Sequence, residues 1–365
     1  MSNGKIITGD CLEQLASLES DSFDAVLSDP PYGISFMGAA WDKGVPSSAV
    51  WAECLRVLKP GGHLLAFGGT RTHHRLIANI EDGGFLIRDC LMWLYGSGFP
   101  KSLNIGKAFD GVLGKQGKGF AVAGHGTYVG TTGNPTTPYT YSTTNGQKWQ
   151  GYGTALKPAW EPICLAMKPT HGTYAENASQ YGVAGMNIDG SRIPTELRPQ
   201  SYSKSPRTDA FGYKEKEELW QPSQLGRWPA NLVLDESFDD QPWSRFFYST
   251  KVSTREREAG MQTAPMQTVG IYDNINRDPS APRLARNNHP TLKPISLTTY
   301  LATLLLPPKR DTPRRILVPF CGAGSEMIGA LQAGWEEVVG IELSPEYVAI
   351  AERRIKYFIT PQEMS

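Results

Sequence analysis

Two parts of the chain alternate short apolar runs with turn residues and amphipathic stretches. Near the start, FDAVLSD and GHLLAFGG predict buried strands, and SAVWAECLRVLKPGG between them predicts a helix that Pro60 and the glycines end. Toward the end, the pattern predicts in order a helix, a strand, a helix, a strand and a helix: PISLTTYLATLLL, RRILVPF, GSEMIGALQAG, EEVVGIEL and SPEYVAIAERRIKYF. Strands that alternate with helices predict an α/β fold with a doubly wound, mostly parallel sheet.

The middle of the chain, residues 101–288, differs from these two parts in composition and periodicity. The stretch GTYVGTTGNPTTPYTYSTTNGQKWQGYGT is polar, rich in Gly and Thr and dotted with aromatic residues, and it keeps neither the period of a strand nor that of a helix. Two later runs in this region, EPICLAMKP and ANLVLD, predict strands. We therefore expect two regular α/β parts, residues 1–104 and 286–365, separated by an irregular insertion at residues 105–285.

Charge, apolar stretches and cysteine spacing limit the classes of function that the chain can have. The 365 residues carry 36 basic and 36 acidic side chains, so the net charge is zero, which does not favour a nucleic-acid partner. Residues 277–315, however, hold eight basic and two acidic residues, a local basic excess. No stretch approaches 18 apolar residues and the first ten residues lack the features of a signal peptide, so we expect no membrane span. The five cysteines form no CxxC pair, which favours free thiols in a reducing cytoplasm and no metal site.

A glycine-containing loop follows the predicted strand near the end of the chain. In LVPFCGAGSEMIGA, Gly322 and Gly324 lie between this strand and a helix, where glycine lets a ligand approach the backbone. Glu342 follows Gly322 by 20 residues, at the end of the next strand, where an acid accepts hydrogen bonds from ribose hydroxyls. Met327 takes the place of the third glycine of a dinucleotide motif, so S-adenosylmethionine, which has no pyrophosphate, fits better than NAD or ATP. A plain turn is the alternative.

The first predicted strand ends in Asp29-Pro30-Pro31-Tyr32, and the sequence DPPYG together with PFCGAG resembles the amino-methylating DNA methyltransferases. HPTLKP at 289–294 resembles the family's motif beside the methionine end of the cofactor, and TGDCLEQLASL at 8–18 resembles the segment near its adenine. DPPY precedes the cofactor motif, an order similar to the permuted β group. The resemblance covers about half the chain and implies a catalytic half at residues 1–104, a target-recognition insertion at 105–285 and a cofactor-binding half at 286–365.

The resemblance also implies the roles of individual residues. Asp29 and the Pro30 carbonyl would accept hydrogen bonds from the exocyclic amine of a base, and Tyr32 would stack on that base after it leaves the duplex. The double proline would stiffen the Pro30 carbonyl, so the catalytic set is Asp29, Pro30, Pro31 and Tyr32. No metal is needed. The S-adenosyl-L-methionine site would comprise Asp10, Cys11, Asp29, His289, Thr291, Lys293, Phe320, Gly322, Gly324, Glu342 and Leu343.

Several readings of the function stay open. An acid at the first position of the motif favours transfer to the N6 amine of adenine in double-stranded DNA, and cytosine-N4 is the alternative. Methylation of a protein or RNA amine and a DNA-binding module without catalysis are further alternatives. No Pro-Cys pair occurs, which argues against cytosine-C5 chemistry. A homodimer and a cognate restriction endonuclease are partners that the resemblance allows.

The chain departs from the family pattern around the glycine loop. Val318 stands where the family usually has an acid, and Ser325 and Glu326 stand where threonines are common. An acid in the first turn of a helix suits the helix dipole in any protein, and this is the interpretation we favour for Glu326. A compensating role beside the positively charged sulfonium is the other interpretation.

Overall fold

The computed structural model describes residues 3–34, 40–96, 98, 102–112, 139–194, 226–250, 256, 258–262, 267–269, 283–287, 289 and 292–360. The predicted cofactor residue Thr291 lies outside these ranges, as does much of the segment predicted to recognise the target. No helix in the described ranges is long and apolar enough to cross a bilayer.

Eleven strands and nine α-helices form the described part of the chain. The strands are β1 Asn3–Thr8, β2 Phe23–Ser28, β3 Leu58–Phe67, β4 Leu86–Leu94, β5 Trp160–Met167, β6 Leu232–Asp235, β7 Tyr248–Thr250, β8 Gln267–Val269, β9 Arg283–Ala285, β10 Arg315–Pro319 and β11 Glu337–Glu342. The helices are α1 Cys11–Ala16, α2 Ser48–Val57, α3 His73–Asp82, α4 Ile105–Val112, α5 Thr144–Lys148, α6 Tyr174–Tyr181, α7 Ile295–Leu305, α8 Ser325–Ala333 and α9 Pro345–Ile359.

Nine strands form one sheet in the order β1-β11-β10-β2-β3-β5-β4-β6-β7. The strands from β1 to β3 are parallel to their neighbours, β5 runs antiparallel between β3 and β4, and β6 and β7 continue parallel to β4. β8 and β9 pair separately. The prediction of an α/β fold with a doubly wound, mostly parallel sheet is confirmed.

The core lies on both faces of this sheet because successive side chains of a strand point to opposite faces. In β2, Ala25 and Leu27 pack with the side chains of α7 and α8, whereas Val26 packs with those of α2 and α3. Strands covered on both faces must be apolar throughout, and all six residues of β2 are buried.

The boundary between α2 and β3 differs from the prediction. The helix ends at Val57 and the strand begins at Leu58, so Pro60 and the glycines lie inside the strand rather than at the end of the helix. The register of β3 against β2 shifts between Leu58 and His63, and Gly61 has a φ of +76°. Proline is tolerated at such an irregularity because the regular ladder is already interrupted, and the Pro60 carbonyl accepts a 2.8 Å hydrogen bond from the Asn177 amide.

Segments from the predicted insertion enter the main sheet. β5 lies between β3 and β4, and β6 and β7 extend the sheet beyond β4. The strands β5, β6 and β7 from this range therefore share the core with the two regular parts of the chain. The assignment of target recognition to this range stays a prediction.

Candidate functional site

The two predicted motifs lie side by side. β2 and β10 are parallel neighbours, and the Ser28 hydroxyl at the end of β2 donates a 3.1 Å hydrogen bond to the Pro319 carbonyl at the end of β10. The helices that follow these strands, α2 and α8, pack on opposite faces of the sheet. In open α/β sheets, ligands bind in the crevice that such a reversal leaves at the carboxyl ends of the strands.

The glycine loop after β10 approaches its neighbours closely. Gly322 has a φ of +50°, and a Cβ atom on it would lie 2.6 Å from Nε2 of His289. Phe320 also has a positive φ, +59°, which strains a residue with a side chain. Beneath the loop, the buried Arg354 guanidinium donates to the Ala323 carbonyl and to Oγ of Ser325. The loop is therefore held in a conformation that leaves its backbone accessible.

Glu342 connects this loop to the next strand. Its carboxylate accepts 2.9 Å hydrogen bonds from the backbone N–H groups of Gly322 and Ser344, and its own carbonyl accepts one from the Gly9 N–H. Burial raises the pKa of Glu342. Because each carboxylate oxygen has a second lone pair, Glu342 can also accept hydrogen bonds from a ligand in the cavity that it lines.

Asp10 and Cys11 form the neighbouring wall, at the start of α1. Asp10 caps this helix, with Oδ1 accepting hydrogen bonds from the N–H groups of Leu12 at 2.9 Å and Glu13 at 3.3 Å. Burial, and then the Asp10 charge, raises the pKa of Cys11 to about 12, so its thiol stays protonated. Cys321 is buried, and its pKa is likewise raised well above the ordinary value. Neither thiol has the thiolate character that a cysteine nucleophile requires.

Four side chains from distant parts of the chain meet at the end of β2. The Lys293 ammonium lies 2.8 Å from Oδ2 of Asp29, 3.3 Å from Oε2 of Glu161 and 3.0 Å from the Tyr32 hydroxyl oxygen. The Tyr32 hydroxyl is 2.9 Å from both Asp29 Oδ1 and Glu161 Oε2. A hydroxyl has one proton, so the two carboxylates share it as acceptors while Lys293 donates to the hydroxyl oxygen.

The cluster fixes the charge state of its members. Burial alone would lower the pKa of Lys293, but Asp29 and Glu161 outweigh it and raise this pKa above the ordinary value. Burial, and then the charges of Asp29 and Glu161, raises the pKa of Tyr32 well above its ordinary value. Lys293 is therefore a cation and Tyr32 a neutral donor at neutral pH.

A second set of hydrogen bonds holds the turn after the two prolines. The buried Asp42 carboxylate accepts from the N–H of Gly33 at 2.7 Å and from that of Ile34 at 3.3 Å. The Thr72 hydroxyl donates a 2.6 Å hydrogen bond to the Tyr32 carbonyl. These contacts leave little freedom for the backbone beside Asp29.

One cavity of about 1320 Å³ joins the two halves of the site. It runs from the glycine loop and Glu342, past Asp29 and Pro30, to a section with several aromatic side chains: Trp41, Trp93, Tyr95 and Trp160. Arg71 and Lys157 also line it. The volume exceeds the roughly 300–1,000 Å³ of a single small-molecule site, so the cavity has room for two ligands that meet at Asp29.

The structure brings most of the predicted site residues to this cavity. Those lining it are Asp10, Cys11, Asp29, Pro30, Pro31, Tyr32, His289, Lys293, Phe320, Gly322, Glu342 and Leu343. Gly324 instead turns the chain, with a φ of +80°, and a Cβ atom on it would lie 3.1 Å from Cβ of Ala351. Glu161 was not predicted, because only its position at the start of a strand distinguishes it in the sequence. The ligands and roles assigned to all these residues stay predictions.

The surroundings of Glu326 differ from those of an acid that only suits the helix dipole, which was the interpretation favoured from the sequence. It lies in the first turn of α8, but it is only 4% exposed and lines the cavity. Burial, and then the neighbouring Asp29, raises its pKa to about 7. An acid that merely suits a helix end would be solvated, so its burial needs another reason.

The sequence matches one family of known proteins over most of its length. The sequence profile of the DNA methylase family of N6/N4 type matches residues 23–353. Type II methyltransferase M.HindIII from Haemophilus influenzae is 24% identical over 229 residues, which are 50% of this chain and 64% of that protein. Type II methyltransferase M.HpaI from Haemophilus parainfluenzae is 28% identical over 117 residues, 30% of this chain and 37% of that protein. The chain thus spans less than two thirds of either relative.

Solved structures of low sequence identity were also found. The cytosine-N4-specific PvuII DNA methyltransferase is 15% identical with a TM-score of 0.49, covering 100% of this chain and 89% of that chain. The M1.HpyAVI–SAM complex is 13% identical with a TM-score of 0.41, covering 97% of this chain and 99% of that chain. The family assignment rests on the profile match across most of the chain, and by that match the chain belongs to the N6/N4 family of DNA methyltransferases.

Proposed function

We propose that this protein transfers a methyl group from S-adenosyl-L-methionine to the N6 amine of an adenine in double-stranded DNA. The observation that carries the proposal is the single cavity in which Asp29 and Pro30 separate a section lined by the glycine loop from a section lined by aromatic side chains. A methyl donor in the first section and a base in the second would meet at the acid.

The first section fits the methyl donor on which this family depends. Gly322 has no side chain to fill the approach to the backbone, Phe320 offers an apolar ring and Glu342 offers lone pairs to ribose hydroxyls. When bound, S-adenosyl-L-methionine supplies an electrophilic methyl group on a positively charged sulfur. Asp10, Cys11 and Leu343 would complete the wall beside Glu342.

Asp29 would prepare the acceptor amine. The lone pair of an exocyclic amine is delocalised into the ring, so an acceptor that bonds its N–H groups favours the more nucleophilic, pyramidal nitrogen. Lys293 and Tyr32 each take one lone pair of the Asp29 carboxylate, which leaves others for the amine. The Pro30 carbonyl would accept the second N–H, and Tyr32 and Trp160 would contact the base. These groups would act mainly by orientation.

Adenine is the proposed base because the motif begins with an acid, and cytosine-N4 is the alternative that experiment must separate. Both curated relatives are Type II methyltransferases, which supports a cognate restriction endonuclease as part of the proposal. The five cysteines are free thiols, which fits a cytoplasmic location. A homodimer stays a prediction.

Transfer of a labelled methyl group tests the class of substrate. The protein is incubated with methyl-labelled S-adenosyl-L-methionine and, separately, with unmethylated duplex DNA, the same DNA after in vitro methylation by the protein, total RNA and a protein extract. We expect label in unmethylated duplex DNA alone. Label in RNA or protein with none in DNA would contradict the proposal.

A further inference from the structure

Glu326 is a buried carboxylate at the cavity wall, and its own backbone N–H donates a hydrogen bond to it. Its side chain is 4% exposed and faces the cavity. Among the described residues, no other residue donates a hydrogen bond to it. A buried acid is costly unless it is paired or hydrogen-bonded, so its position at the cavity wall points to a partner that enters the cavity.

The charges around Glu326 indicate the sign of that partner. Asp29, Glu161 and Glu326 line the cavity near Lys293, whose ammonium lies against the first two of these carboxylates, and Arg71 and Lys157 line the cavity as well. The other positive charge near Glu326 belongs to Arg354, whose guanidinium donates to the backbone and hydroxyl groups under the glycine loop. Three carboxylates around one ammonium leave an excess of negative charge in a poorly solvated site. Such a site favours a cationic ligand.

The protonation of Glu326 agrees with this reading. Burial, and then Asp29, raises the pKa of its carboxyl to about 7, although Lys293 and Arg354 oppose the rise. The other titratable neighbour is Cys321, whose pKa is raised well above the ordinary value, so it stays a neutral thiol. Near neutral pH, then, Glu326 is partly protonated, and a cation beside it would release that proton.

We propose that Glu326 binds the positive charge of the methyl donor and makes the protein prefer S-adenosyl-L-methionine, a sulfonium, to S-adenosylhomocysteine, a neutral thioether. This inference rests on the proposed function. In methyl transfer the carbon–sulfur bond breaks with its electron pair left on sulfur, a carbon–nitrogen bond forms, and the amine releases one proton to water. The positive charge on sulfur, to which Glu326 binds, is therefore lost in the reaction. The thioether product should bind the site more weakly as a result.

Calorimetric binding of the two nucleosides to the full chain tests the inference. We compare the wild type with Glu326→Gln, which keeps the shape and removes the charge, and with Glu81→Gln, a control on the exposed side of α3. We expect wild type and control to bind the sulfonium about tenfold more tightly than the thioether, and Glu326→Gln to bind both within about threefold. An equal loss of both affinities in Glu326→Gln would place Glu326 at the amino-acid end that the two nucleosides share and would overturn the inference.

The wild type provides a second readout that no substitution can disturb. Titrations in buffers of different ionisation enthalpy measure the protons released on binding. Because ionised Glu326 favours the cation, we expect proton release with S-adenosyl-L-methionine below the Glu326 pKa of about 7, and an affinity that rises with pH through that value. S-adenosylhomocysteine should release none. Identical proton release with both nucleosides would overturn the inference alone, whereas no binding of S-adenosyl-L-methionine would overturn the proposed function as well.

Discussion

Replacing Lys293 with Met removes the ammonium from the catalytic cluster and keeps the apolar stem. The side chain of Lys293 is 6% exposed, and those of its partners Asp29 and Glu161 are 16% and 21% exposed. Removing one partner of a fully buried ion pair costs about 3–5 kcal/mol, because the remaining charge is left uncompensated. The two carboxylates keep some contact with solvent, so we expect Lys293→Met to lower the free energy of unfolding by about 2–3 kcal/mol at neutral pH.

The pH dependence of this loss follows from the signs of the charges. The pKa of Lys293 is raised above its ordinary value of 10.5, so the stability that Lys293 contributes is fully present at any pH below that value. The deficit of Lys293→Met should therefore stay constant from neutral pH to 10.5 and shrink only as pH rises further, through the raised pKa of the Lys293 ammonium.

Urea unfolding followed by tryptophan fluorescence measures these differences, and a double-mutant cycle isolates the pair. Asp29→Asn and the double variant Asp29→Asn/Lys293→Met complete the cycle. We expect the double variant to be more stable than the sum of the single effects predicts, with a coupling free energy of at least about 1 kcal/mol. Additive effects within about 0.5 kcal/mol would refute the ion pair as a stabilising element.

Three further substitutions separate binding from catalysis. Glu342→Ala should weaken S-adenosyl-L-methionine binding at least tenfold, measured by calorimetry, because it removes the proposed ribose acceptor and the acceptor for the Gly322 N–H. Gly322→Ala should lower that affinity by about tenfold or more, since its Cβ would lie 2.6 Å from Nε2 of His289; unchanged affinity would contradict the close approach. Glu161→Gln should slow methyl transfer about tenfold and weaken cofactor binding by less than about threefold, because it alters the charge beside Tyr32 and Lys293; a larger loss of affinity with full rate would assign Glu161 to the cofactor instead.

Local patterns in the sequence were sufficient for much of the fold. β2 and β10 are apolar runs closed by turn residues. The helix predicted from SPEYVAIAERRIKYF is α9, and the Ser344 hydroxyl caps it by accepting from the Tyr347 N–H. β4 was not predicted, because charged residues interrupt the apolar pattern of its sequence. The strand is partly exposed in the structure, with Leu86 46% exposed, so its sequence need not be apolar throughout. Its place in the sheet depends on pairing with β5, which follows it by more than sixty residues of sequence.

The site was predictable only where its residues are adjacent in the sequence. The motif at Asp29 and the loop at Gly322 each carry a local signal of turn chemistry and chain position. The contact of Tyr32 with Glu161 spans 129 residues, and that of Asp29 with Lys293 spans 264, so no local pattern encodes either. The burial of Glu326 was missed for the same reason, since the first turn of a helix looks alike in sequence whether it faces solvent or a cavity.

The proposed role of Asp29 is to direct methyl transfer to an exocyclic amine, and nucleoside mass spectrometry measures that role. Unmethylated duplex DNA is incubated with methyl-labelled S-adenosyl-L-methionine and either the wild type or Asp29→Ala, then digested to nucleosides. We expect labelled N6-methyladenine with the wild type and none with Asp29→Ala, although the variant still binds the cofactor. Labelled N4-methylcytosine would contradict the choice of base, and undiminished label with Asp29→Ala would contradict the role of the acid.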